Sequence, residues 1–189
     1  MTSGNRLRLV EGVLCLVLFT LTIPAANWLI GHLGTTCVPN GPCLIPVGPF
    51  GLKAPSAVLM IGAALVLRDL VQRRLGFVAA FAAIVIGAAL SALVAPPSIV
   101  LASAAAFLLS EFADLLVYTP LQRRRFVLAV VLSSIVGLVV DSLIFLYLAF
   151  GSLDFLLGQI VGKTWMVLLA IPLVHWLRRR DERLGIAPA

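Results

Sequence analysis

Residues 98–118, SIVLASAAAFLLSEFADLLVY, are apolar over a length that crosses a bilayer, yet they include Glu111 and Asp114. A charged side chain at the centre of a lipid-facing helix costs about 2.5–3.5 kcal/mol even on the most lenient scale, so such carboxylates face a bundle interior and mark a pathway or site. The stretch therefore implies a helical bundle with a polar inside.

Composition agrees. The chain has 189 residues, of which 61% are hydrophobic and only 12% charged, against about 25% charged in soluble domains. These values imply one integral membrane domain over residues 1–189, and no stretch of it resembles an appended water-soluble domain. There is no Walker A pattern, so the chain is not expected to use ATP in the P-loop manner. The +6 net charge falls in short clusters between apolar runs, which reads as a topology signal and argues against nucleic acid as a partner.

Six spans are expected, at about residues 9–31, 54–71, 77–95, 98–118, 126–150 and 155–177, the second being the weakest because it ends in Arg68 and Asp69. Arg6 and Arg8 precede an apolar run without a cleavage pattern, so the first span is expected to be retained. Arg68, Arg73 and Arg74, then Arg123 to Arg125, then Arg178 to Arg180 and Arg183 follow the even-numbered spans, whereas the alternate loops hold only Lys53. Positive-inside logic puts both termini in the cytoplasm.

The loop from Thr35 to Leu52 is dense in Pro and Gly and carries Cys37 and Cys43 on the side where thiols can oxidise; a disulfide there and two separate thiols are both compatible with the spacing. A metal site is disfavoured, since His32 is the only nearby third ligand. Gly158 and Gly162, and the small residues of the third span, suit close helix packing within the chain.

Helical spacing puts Ser103, Phe107, Ser110 or Glu111, Asp114 and Tyr118 on one face of the fourth span, Ser134, Gly137, Asp141 and Phe145 on one face of the fifth, and Gln159, Gly162, Lys163 and Met166 on one face of the sixth. From the rise per residue, Asp141 and Lys163 both lie roughly 12–14 Å below the outer end and should pair, with Glu111 and Asp114 roughly 6–12 Å deeper. Lys163 is then the one cation expected among three carboxylates. Two carboxylates remain, and they call for protons, a cation or a donor-rich ligand. Asp114 has the alternative of pairing with Arg123 to Arg125. Asn27 near the outer end of the first span could cap a pocket. With His32 and His175 near opposite faces, nucleophilic catalysis is not expected.

The segments SAAAFLLSEFADLLVY, VDSLIFLYLAFG and GQIVGK resemble the last three helices of the queuosine precursor transporter family, also called the vitamin uptake transporter family. The shared pattern is a Ser-Glu-x-x-Asp-like fourth helix, an Asp-Ser-Leu-Ile-Phe fifth helix and a Lys-bearing sixth. APSAVLMIGAALVLRDLVQRRLG looks like the second helix of that family, whereas the Cys37–Cys43 loop has no counterpart in the pattern. The resemblance implies an all-α, six-transmembrane-helix importer of 7-deazaguanine bases, similar to the S-components of energy-coupling-factor transporters and resident in the bacterial inner membrane.

On this reading the substrate-binding residues are Glu111, Asp141, Lys163, Gln159, Ser110, Phe107, Asp114, Tyr118, Phe145 and Asn27, in one site built from spans four to six and covered by the first outer loop. Glu111 would accept from the base edge, and Phe107, Tyr118 or Phe145 would stack on the ring. No cofactor or catalytic residue is expected; a homo-oligomer and a separate ATPase module stay open. The alternatives are a vitamin-binding S-component that depends on such a module, and a structural membrane protein in which the polar stripes only cross-link helices.

Overall fold

The structure is a computed structural model that describes residues 3–38, 42–48 and 51–189. Six helices follow one another: α1 (Ser3–His32), α2 (Val58–Leu75), α3 (Phe77–Val94), α4 (Val100–Leu121), α5 (Phe126–Phe150) and α6 (Leu156–Leu184). Between α1 and α2 lie β1 (Thr36–Cys37), β2 (Cys43–Pro46) and β3 (Lys53–Pro55), an antiparallel sheet in the order β1-β2-β3. The expected all-α bundle is present, and one small sheet is added to it in the loop between α1 and α2. It begins where the first apolar run ends, and its strands contain β-branched Thr and Ile between turn-forming Pro and Gly residues.

Five helices, all but α2, are long and apolar enough to cross a membrane. The chain is a multi-pass membrane protein. Their outer faces carry large exposed apolar side chains such as Val10, Leu21, Val78, Ile86, Leu93 and Leu116, the surface that lipid tails solvate in place of water.

α2 has the opposite character. Every residue from Ala64 to Arg74 is buried except Leu67, which is half-buried, and α2 packs against all five other helices. A helix buried on all sides belongs at the centre of a bundle. That position is why Arg68 and Asp69, expected at the end of a span about residues 54–71, instead lie in the interior of a helix shifted four residues onward. The polar groups that disqualify α2 as a lipid-facing span are shielded by protein.

Small residues allow this crowding. A methyl on Gly62 would stand 2.7 Å from the Lys163 carbonyl oxygen, and one on Gly162 would stand 2.7 Å from Val58 Cγ2. Gly158 lies directly against the Lys53 carbonyl, so the two glycines of α6 serve packing within the chain. α6 also runs seven residues past the expected boundary at Leu177, because Arg, Glu and Leu continue a helix well outside an apolar environment. Gly151 and Gly185, at φ +64° and +63°, end α5 and α6 in the left-handed conformation.

The helix ends opposite the sheet are tied by charge. Asp181 of α6 accepts from Arg73 Nη2 at 3.0 Å and Arg74 Nη1 at 2.8 Å, while Glu11 of α1 meets Arg74 Nε at 2.9 Å and Arg180 Nη2 at 2.5 Å. The Ala189 amide donates to the Arg73 carbonyl at 3.0 Å. The arginine clusters therefore gather at one end of the bundle, which also holds the start of α1 and Ala189.

At the sheet end, Cys37 and Cys43 are cross-strand partners joined by a disulfide. The sheet is held down by Ser56, which donates to the Leu29 carbonyl at 2.7 Å, and by the Trp165 indole, which donates to the Val47 carbonyl at 2.9 Å.

Candidate functional site

A cavity of about 50 Å³ lies toward the sheet end of the bundle. Thr22, Ile23, Ala26, Asn27 and Ile30 of α1, Ala57 just before α2, and Met60, Ile61 and Ala64 of α2 form one wall. The facing wall is Ser91 of α3, Ser103, Ala106, Phe107, Ser110 and Glu111 of α4, and Asp141 and Phe145 of α5. Its chemistry is uneven: two carboxylates, several hydroxyls, one amide and two phenyl rings, with no basic side chain in the lining. Such a surface suits a flat or cationic molecule with several hydrogen-bond donors.

The walls of this cavity differ from the expected set of the fourth to sixth spans. α1 and α2 supply nearly half of the lining, α6 supplies none, and the described residues of the loop between α1 and α2 contribute Ala57, immediately before α2. The loop also covers the seam of α2 and α6, where Val47, Ala54 and Val58 pack with Ile45, Leu52 and Val161. Of the expected residues, Glu111, Asp141, Ser110, Phe107, Phe145 and Asn27 line the cavity. Lys163, Gln159, Asp114 and Tyr118 do not.

Lys163 and Gln159 stand behind Asp141. Lys163 Nζ donates to Asp141 Oδ2 at 2.5 Å, to Ser142 Oγ at 2.7 Å and to Gln159 Oε1 at 2.7 Å. An ammonium has three donors, and all three are used. The i, i+4 spacing of Gln159 and Lys163 on α6 puts the amide in reach, and the depth estimate from rise per residue brings Asp141 level with Lys163. Lys163 is fully buried, so the pair neutralises a charge that the interior could not otherwise hold.

Asp114 and Tyr118 belong to a second cluster, centred on Arg68 of α2. This fully buried guanidinium donates from Nε to Glu111 Oε2 at 3.2 Å, from Nη1 to Gln72 Oε1 at 3.2 Å, and from Nη2 to Asp114 Oδ1. Nη1 also lies 3.0 Å from Asp69 Oδ1, close enough for an ion pair but not aligned for a hydrogen bond. Its carbon sits 5.6 Å from the centre of the Tyr118 ring. Gln72 passes the network on to Thr119 at 3.0 Å, and Ser133 donates to Asp69 Oδ2 at 3.0 Å.

Arg68 is therefore a buried cation that sequence reasoning misplaced as a loop arginine. Asp114 pairs with it and not with Arg123 to Arg125, which are exposed, because Asp114 faces inward a full turn or more before α4 ends. Lys163 is not the sole buried cation either. In the structure Arg68 lies ten residues into α2, about 15 Å from its start, with Gln72 one turn on.

The charge count is lopsided. Asp141 and Lys163 balance, whereas Arg68 alone faces Asp69, Glu111 and Asp114. Asp69 Oδ1, Asp114 Oδ2, Tyr118 Oη and Ser134 Oγ are buried without a hydrogen-bond partner among the described residues. Glu111 belongs to both regions: it lines the cavity on one side and accepts from Arg68 on the other. No group of three or more His, Cys, Asp or Glu among the described residues is arranged to hold a metal ion.

Fold and site together define a class: a multi-pass helical membrane protein that encloses a small cavity floored by ionic networks. Within it, residues 91–177 match the model of the family described as "putative vitamin uptake transporter". The match spans the end of α3, all of α4 and α5 and most of α6, the same half of the chain that carries the sequence resemblance. It leaves out α1 and α2, and with them Arg68. Neither the curated proteins nor the solved structures give a match.

Proposed function

We propose that the chain is an importer of 7-deazaguanine bases, the precursors of queuosine, resident in a bacterial inner membrane with both termini in the cytoplasm and α2 as the sixth crossing. The observation that carries this reading is the double role of Glu111. A deazaguanine offers ring N–H and exocyclic amine donors along one edge, and Glu111 accepts from that side while Arg68 holds its other flank. Phe107 and Phe145 supply faces for the ring. Ser110 and Asn27 add hydrogen bonds, and Lys163 with Gln159 fixes Asp141 as a second acceptor.

Ligand sites for drug-sized molecules occupy roughly 300–1,000 Å³, far more than this cavity. Admission of a base thus requires α1 and α2 to separate from α4 and α5. Passage inward then requires Glu111 and Asp114 to exchange partners with Arg68, and the Arg73–Arg74–Asp181–Glu11 knot to open. The family match, to a transport description, supports the same class.

The test is made in cells that cannot synthesise the precursor but can complete the modification. The gene should restore queuosine in transfer RNA when a deazaguanine is supplied, and Glu111→Gln should abolish this while the protein stays in the membrane. Uptake unchanged by that substitution removes Glu111 from the site. The S-component reading draws on the vitamin description of the matched family; transport by the purified chain in liposomes without any ATPase would rule it out.

A further inference from the structure

A cleft of about 450 Å³ at the arginine-rich end is independent of the cavity and its ionic floor. It is lined by Arg124, Arg125, Val127, Leu128 and Val131 at the start of α5 and by Arg178 near the end of α6. Arg124 and Arg125 are exposed and have no acidic partner among the described residues; Arg178 meets Glu182 at 2.8 Å, an exposed pair that solvent screens. Among the described residues no acidic side chain lines the cleft.

The two halves of the cleft have different chemistry in a fixed order. Val127, Leu128 and Val131 belong to a helix apolar enough to cross the membrane, so this half is in contact with acyl chains. The arginines stand one turn nearer the end, at headgroup depth. α5 also begins there: the first of its amides with a backbone partner is that of Ala129, on the Arg125 carbonyl at 2.8 Å. The amides of Phe126, Val127 and Leu128 are the open N–H groups of a helix start, which favours an anion. Trp176, 54% exposed on the neighbouring helix, marks the interface level.

We propose that this cleft is a binding site for an anionic glycerophospholipid, with its phosphate on Arg124, Arg125 and Arg178 and an acyl chain along Val127, Leu128 and Val131. The order of charge and apolar surface along the cleft matches the order of headgroup and chain in one lipid molecule. A free phosphate would use only half of it, and a zwitterionic lipid would leave the positive charge unbalanced. The bound lipid would brace the α5–α6 seam beside the knot formed by Asp181.

The full chain, purified in detergent, can be titrated with phosphatidylglycerol, phosphatidylcholine or inorganic phosphate and the bound species counted by native mass spectrometry. Phosphatidylglycerol should bind best. The pair Arg124→Gln with Arg125→Gln should weaken it by about thirtyfold and Arg178→Gln by about fivefold, taking about 1 kcal/mol for each arginine near the headgroups. Arg6→Gln with Arg8→Gln, which removes the same charge elsewhere at this end, should change little. Equal binding of phosphatidylcholine, equal losses in the two double variants, or full competition by inorganic phosphate would overturn the proposal. The substituted arginines are exposed and Arg124 and Arg125 unpaired, so folding is preserved; an unchanged thermal midpoint in the absence of lipid verifies it.

Discussion

The two fully buried cations, Lys163 and Arg68, sit in contrasting surroundings. Lys163 is saturated: one carboxylate balances its charge, a serine and an amide take its remaining donors, and all partners come from α5 and α6. Arg68 is contested. Three carboxylates from α2 and α4 surround it, and four buried polar atoms in the described residues near and below it lack partners. A fully satisfied network rigidifies its neighbourhood, whereas a partly satisfied one has other arrangements of similar energy. The difference separates a fixed wall, which holds Asp141, from a floor whose ion pairs have alternative arrangements.

The sharpest way to break this contrast is to remove the cations. Arg68→Met strands three carboxylates and should destabilise the protein by about 3–5 kcal/mol or prevent assembly, the range for breaking a buried ion pair. Lys163→Met strands one, and should cost less than Arg68→Met in thermal unfolding of the purified protein. Adding Asp141→Asn to Lys163→Met should recover most of the loss, since a neutral pair needs no counter-charge; no neutral partner substitution at a single carboxylate should rescue Arg68→Met.

Removing carboxylates should separate the clusters by sign. Asp141→Asn leaves Lys163 unbalanced and should cost about 1.5–3 kcal/mol, the worth of a hydrogen bond to a charged group. Glu111→Gln removes negative charge where it is in excess and should leave stability unchanged or slightly raised. Equal losses in the two variants would erase the distinction.

A smaller effect is expected at Gly137, where a methyl would stand 2.7 Å from Leu65 Cδ2 and 3.2 Å from Asp114 Oδ2. Gly137→Ala should cost about 1–3 kcal/mol through overpacking and displace Asp114 from Arg68. The smallest effect belongs to the exposed Arg178–Glu182 pair on α6, where Glu182→Gln should change stability by only about 0.3–0.5 kcal/mol.

How much of this the sequence disclosed depended on whether a residue's surroundings followed from its own helix. Asp141 and Lys163 lie on strongly apolar helices, so depth came from counting residues, and the structure places them in contact. The fifth helix, Phe126–Phe150, has the expected limits because Arg125 and Gly151 bound it sharply. Arg68 was illegible for the opposite reason. On a helix with few apolar neighbours, an arginine followed by two more reads as the edge of the membrane, and only the five helices around α2 make its burial possible. The same blindness hid the α1 and α2 wall of the cavity, whose Ala, Ile and Met residues carry no chemical signal.

The claim that Glu111 joins the cavity to the Arg68 cluster is tested most directly by measuring binding of a 7-deazaguanine base to purified wild-type and Glu111→Gln protein, alongside their thermal midpoints. The account predicts a loss of affinity of about 10- to 100-fold, the equivalent of one charge-assisted hydrogen bond, with the midpoint held or raised. Undiminished binding, or binding lost only together with the fold, would contradict it.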